Sequence, residues 1–67
     1  MNKDIKFNLR QARTYAGFTQ DEIAKQLGIS KLAYQHYENE KKQNKMRIDK
    51  AEKFSKIVKI PITRIIF

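Results

Sequence analysis

The side chains that commonly carry acid–base or metal chemistry are few and poorly matched. Asp21 and Glu22 are adjacent carboxylates, His36 is the single histidine, and cysteine is absent. Neighbouring residues on a helix point about 100° apart, so Asp21 and Glu22 do not converge on one atom. In a first turn they favour the helix dipole instead. A general base needs a partner to orient it, and the sequence signals none for His36. One histidine without cysteine cannot assemble a zinc finger or a closed structural zinc site. No Gly-rich phosphate loop, nucleophile elbow or His-Glu-x-x-His is present. These residues predict no enzyme, no cofactor, no metal and no small-molecule ligand.

Cations are the abundant chemistry. Among 67 residues, 15 Lys and Arg stand against 7 Asp and Glu, a formal charge of +8. Residues 1–40 carry six cations against five anions, whereas residues 41–59 carry eight (Lys41, Lys42, Lys45, Arg47, Lys50, Lys53, Lys56, Lys59) against two. That excess is either a solvated lysine-rich face or a stripe that meets phosphates.

The elements that would position these groups follow from punctuation and periodicity. The length allows one small domain with a modest core. No apolar run approaches the roughly 20 residues that span a bilayer, and residues 1–4 lack a signal-peptide core. The expectation is a cytosolic protein with no membrane contact. Only Gly17, Gly28 and Pro61 interrupt the chain, and nothing alternates long enough for a strand. An all-α chain of five helices is predicted: Lys3 to Ala16, Gln20 to Leu27, Lys31 to Asn39, Met46 to Val58, and a short one from Pro61.

The first helix carries a stripe of Ile5, Leu9, Ala12 and Ala16 and ends at Gly17. Thr19 and Glu22 form a capping box, with Phe18 and Ile23 as a hydrophobic staple. Ser30 caps the third helix, with Ile29 and Tyr34 in the staple positions. The fourth helix opens at Asn44 or near Arg47 and turns Ile48, Ala51, Phe54 and Val58 inward. Two short capped helices are thereby joined by about three residues centred on Gly28. Ala24 is small where they cross, Gly28 permits the tight turn, and Ile23, Leu27, Ile29, Tyr34 and Tyr37 fill the angle between them. Tyr34 and Tyr37, three residues apart, suit this seam better than base stacking.

This pattern across residues 20–39 resembles the helix-turn-helix of the lambda-repressor-like family, the Cro/cI-type or xenobiotic-response-element regulators. The lead-in Gly17-Phe18-Thr19-Gln20, the exit Tyr37-Glu38-Asn39 and Ile60-Pro61-Ile62 extend the likeness from about Leu9 to Ile66. Departures are Glu40 and Lys59, where glycine is frequent, and a loop of residues 41–45 about two residues longer that lacks the usual proline. With Glu40 in place of glycine, Asn39 is expected to supply a left-handed helix end.

The resemblance implies a compact five-helix domain that binds double-stranded DNA, with the third helix in the major groove. Turning that helix so that Tyr34 and Tyr37 face inward leaves Leu32, Gln35 and His36 outward, with Lys31 and Asn39 at the margins. Lys31 would donate to guanine, Gln35 or His36 would bond a purine edge, Leu32 would pack on a thymine methyl, and Ser30 is a further base contact. Gln20, at the second helix's N-terminus, would hold a phosphate, as the dipole argument also implies. Arg10, Asn39, Lys41 and Lys42 are further phosphate candidates. The resemblance pairs Arg13 with Glu38 in a partly buried, structural salt bridge.

A repressor or regulator of phage, plasmid or mobile-element type in a bacterium, acting at the nucleoid, is the leading expectation. One recognition helix reads few base pairs, so a homodimer on a palindromic site is expected. Val58, Ile62, Ile65, Ile66 and Phe67 form either its contact surface or part of the protein's own core. The alternatives are an antitoxin-like module whose main contact is another protein, and a nonspecific anionic-surface binder driven by residues 41–59.

Overall fold

The computed structural model describes residues 6–39 and 46–67. A short strand β1 (Phe7–Asn8) leads into α1 (Leu9–Ala16), followed by α2 (Gln20–Leu27), α3 (Lys31–Glu38) and α4 (Ile48–Val58). A 3-10 turn (Ile62–Arg64) then feeds a second short strand, β2 (Ile65–Ile66). The two strands pair in parallel, Phe7 opposite Ile65 and Asn8 opposite Ile66.

Among the described residues, four α-helices, a 3-10 turn and a strand pair therefore stand where five helices were expected. At the start, Asn8 accepts from the Gln11 amide at 2.8 Å while the Gln11 side chain accepts from the Asn8 amide at 3.0 Å. This reciprocal cap starts the helix at Leu9, later in the chain than the predicted start at Lys3. Ile5 lies outside the described residues. At the other end, Pro61 (φ −53°, ψ 137°) precedes a single 3-10 turn, closed by the Arg64 amide on the Pro61 carbonyl at 2.8 Å, before the chain extends.

The middle of the chain follows its local signals. Thr19 and Glu22 form the reciprocal cap of α2, and Gly28 closes that helix with φ 73°. The Ser30 hydroxyl accepts from the Ala33 amide at 3.0 Å to start α3. Asn39 does not supply a left-handed end: its backbone is extended, φ −80° and ψ 100°. Among the described residues, the left-handed residue that is not glycine is Lys59, φ 59°, which terminates α4.

Ile23, Ala24 and Leu27 of α2 are buried against Tyr34 of α3, and α4 closes the core with Ala51, Phe54 and Val58. Tyr34 stacks on Phe54 with ring centroids 6.4 Å apart, and Phe67 meets Phe54 edge-on at 6.2 Å. Ile48, expected inside, is 72% exposed; Met46, just ahead of the helix, takes the buried place. The Lys50 ammonium donates to the Leu27 carbonyl at 3.0 Å, satisfying one of the free carbonyls at the end of α2. That bond joins α4 to the turn between α2 and α3.

The apolar tail belongs mainly to this same core. Val58 and Ile65 are buried, Ile62 and Phe67 pack against them, and Ile66 alone of the five is largely exposed. No described helix is long and apolar enough to cross a membrane.

Candidate nucleic-acid interface

The lengths and crossing of α2 and α3 present one outward helix face. Both have eight residues, and the three between them include one left-handed glycine. Tyr34 anchors the inner side of α3, so its other side must face water. Leu32 is accordingly 62% exposed, Ser30 and Lys31 are exposed, and Gln35 and His36 are half-buried on the same helix. Tyr37 is also half-buried and packs on the core edge. An isolated exposed leucine is ordinary. Here it stands one turn from His36 and next to Lys31, an apolar group among groups that bond base edges.

Beside this face an open concavity runs between α1, the start of α2 and α3. Lys31, Gln35 and Asn39 line it from α3, Arg10 and Arg13 from α1, and Gln20 from α2. Arg10 and Asn39 are exposed, as a role in backbone contact requires. Lys41 and Lys42, the other phosphate candidates, lie outside the described residues. The concavity also takes in Phe18, Thr19 and Asp21, to which the sequence assigns only helix-capping and dipole roles, and Thr14, to which it assigns none. A signal was there for Thr14, four residues after Arg10 and so on the same face of α1. Its hydroxyl donates to the Arg10 carbonyl and is turned inward onto the helix.

A polar cluster forms the concavity's floor. Arg13 Nε donates to Glu38 Oε2 at 2.6 Å, with the two side chains 11% and 7% exposed, and Arg13 Nη1 donates to the Phe18 carbonyl at 2.8 Å. The expected pairing of α1 with the end of α3 is thus present. Gln20 Nε2 donates to Glu38 Oε1 and Gln35 Nε2 donates to Gln20 Oε1, both at 3.0 Å. These two glutamine contacts were not foreseen. Burial opposes ionisation of Glu38, yet the hydrogen bond from Arg13, the nearby Tyr34 hydroxyl and Gln20 outweigh it and hold the carboxyl below its ordinary range. The hydrogen bond to Glu38 raises Arg13 in turn, against the cost of burial. Burial, then Glu38, pushes the Tyr34 phenol upward, and its hydroxyl finds no hydrogen-bond partner among the described residues.

A family model described as a helix-turn-helix domain matches residues 8–66. The chain belongs to the helix-turn-helix domain family. The match runs from Asn8 through all four described helices to Ile66, and agrees with the resemblance to lambda-repressor and Cro-type DNA-binding proteins. No curated protein and no solved structure matches the chain. Membership in this helix-turn-helix family indicates a DNA-binding regulator, built on a domain that is typically a binder and not a catalyst.

The charges sort against this frame. Of the six net positive charges in residues 41–59, four come from Lys41, Lys42, Lys45 and Arg47, which follow α3 in sequence. Within α4 itself, Asp49 and Glu52 stand four residues ahead of Lys53 and Lys56, so its outer face mixes signs. Among the described residues no cluster of three or more His, Cys, Asp or Glu is placed to hold a metal ion.

Proposed function

We propose that this protein is a sequence-specific double-stranded DNA-binding transcriptional repressor, reading the major groove with α3 and acting as a homodimer on a palindromic operator. The observation that carries the reading is the outer face of α3, where the exposed Leu32 lies among Ser30, Lys31, Gln35 and His36. In the proposed complex Lys31 and His36 bond base edges, Leu32 covers a thymine methyl, and Ser30 and Gln35 complete the contacts. Arg10, Gln20, Asn39, Lys41 and Lys42 hold phosphates on either side, fixing register without specifying sequence.

Two copies are required on geometric grounds. An α3 of eight residues reaches only a few base pairs, and a half-site repeated one helical turn away supplies the missing specificity. Bacterial phage, plasmid or mobile-element regulation, at the nucleoid, is the setting that the resemblance supports.

Selection of bound sequences from random duplex DNA tests this reading. A palindromic consensus with fixed half-site spacing is expected. The Lys31→Ala, His36→Ala double variant should lose preference for that consensus while keeping salt-dependent binding to any duplex. Unchanged consensus affinity in the double variant refutes the assigned contacts, and equal loss on all sequences favours nonspecific binding.

A further inference from the structure

The hydrogen-bond chain behind α3 has a direction. An ionised carboxylate only accepts hydrogen bonds, and Arg13, 2.6 Å from Glu38, keeps that carboxylate ionised. The Gln20 amide must therefore turn its Nε2 toward Glu38. Its Oε1 is then left facing Gln35, which has to answer with Nε2. Turning over either amide alone would set two oxygens, or two NH2 groups, against each other.

Gln35 is left with Oε1 and one Nε2 proton to offer outward, an acceptor beside a donor. That pair matches adenine, whose major-groove edge presents the N6 donor and the N7 acceptor. The opposite orientation would offer two protons and match guanine, whose O6 and N7 both accept. Gln35 is half-buried and lies about 60° around α3 from Leu32, so its amide borders the outer face.

We infer that Glu38, acting through Gln20, fixes the Gln35 amide in the orientation that accepts adenine and rejects guanine at one base pair of the operator half-site. The inference rests on the DNA-binding reading above. Gln35 is the specificity-determining residue; Gln20 and Glu38 are positioning residues. The chemical character of Glu38, three residues beyond Gln35, is thereby expressed at a base it does not touch.

The test is selection from random duplex DNA with the wild type and with Gln35→Ala, Gln20→Met and Gln20→Lys, each checked for cooperative melting. In the wild-type consensus one position should favour adenine over guanine by about 5- to 150-fold, the range of a bidentate contact. Gln35→Ala should flatten that position alone. Gln20→Met, which severs the relay, should bring the adenine-to-guanine ratio within about threefold of unity. Gln20→Lys keeps a donor on Glu38 but presents only donors to Gln35, so its amide turns over and the position should change to guanine. Loss of a phosphate contact at Gln20 lowers affinity on every sequence and does not move this ratio. A wild-type consensus with no position sensitive to Gln35→Ala overturns the inference while leaving sequence-specific binding intact. So does full adenine preference in both Gln20 variants. If the wild type enriches no sequence, the functional reading itself fails and the inference falls with it.

Discussion

Replacing Arg13 by alanine should remove a large part of the protein's stability. The guanidinium and the Glu38 carboxylate are 11% and 7% exposed, so both have largely left water. Removing Arg13 leaves the carboxylate desolvated, with Gln20 as its remaining strong donor, and frees the Phe18 carbonyl. Breaking one side of such a pair costs about 3 to 5 kcal/mol. A domain of this size has only about 3 to 10 kcal/mol in total. Urea unfolding followed by circular dichroism should therefore show Arg13→Ala losing about 3 to 5 kcal/mol, a third or more of the total, and all of it where the total lies at the lower end of its range. The control is Arg13→Met with Glu38→Met, which removes both charges and fills the space. Apolar replacement of a whole buried pair is neutral or stabilising by about 1 to 4 kcal/mol, so the double variant should recover much of what the single one lost. The argument is refuted if Arg13→Ala loses less than about 1 kcal/mol, the value of an exposed pair, or if the double variant is no better than the single.

Other perturbations have equally definite outcomes. Stability should fall as pH drops below the ordinary carboxylate range: Glu38 titrates lower in the folded protein than in the unfolded one, so its contribution is present at neutral pH and lost on acidification. Melting temperatures across an acid series should fall less steeply in the Arg13→Met, Glu38→Met variant. Lys59→Gly should stabilise by about 1 kcal/mol, because the left-handed backbone at φ 59° is strained for lysine and not for glycine; a lower urea midpoint would contradict this. Tyr34→Phe removes a buried hydroxyl that makes no direct hydrogen bond among the described residues but helps keep the nearby Glu38 carboxylate ionised, so the two effects oppose and thermal melting should show a change within about 1 kcal/mol. Leu32→Ala should leave the melting temperature unchanged and weaken consensus binding only, as read by fluorescence anisotropy on matched and scrambled duplexes.

What the sequence disclosed depended on whether local chemistry or distant packing decided the matter. Thr19, Glu22, Gly28 and Ser30 act within one turn of themselves, so α2 and α3 were legible to the residue at nearly every boundary. The start of α1 was misplaced because the stripe from Ile5 through Leu9 outweighed a local stop. Asn8 and Gln11 stand at capping-box spacing, yet that pair was passed over. Ile65-Ile66 is too short to show alternation, and its strand exists only because Phe7–Asn8 lies alongside it. Ile48 is the first residue of α4 and lies outside the core, whereas Met46, ahead of the Arg47 cap and outside the helical periodicity, is buried. At the candidate interface, helical rotation about Tyr34 and Tyr37 predicts Leu32, Gln35 and His36 outward; Leu32 is exposed, whereas Gln35 and His36 are half-buried because neighbouring side chains cover them. Rotation was silent on the Gln20–Gln35 bond, which joins side chains fifteen residues apart.

The pairing of Phe7–Asn8 with Ile65–Ile66 works as a clasp. Parallel neighbours need a long crossover, and here that crossover carries the four described helices, which lie inside the loop that the clasp shuts. Fraying, which usually begins at the extremities of a domain, is thereby resisted from both directions by the same few backbone bonds. Opening it from either side exposes Ile65 together with the flank of Leu9. Amide exchange at these strands should consequently track global unfolding and not local breathing.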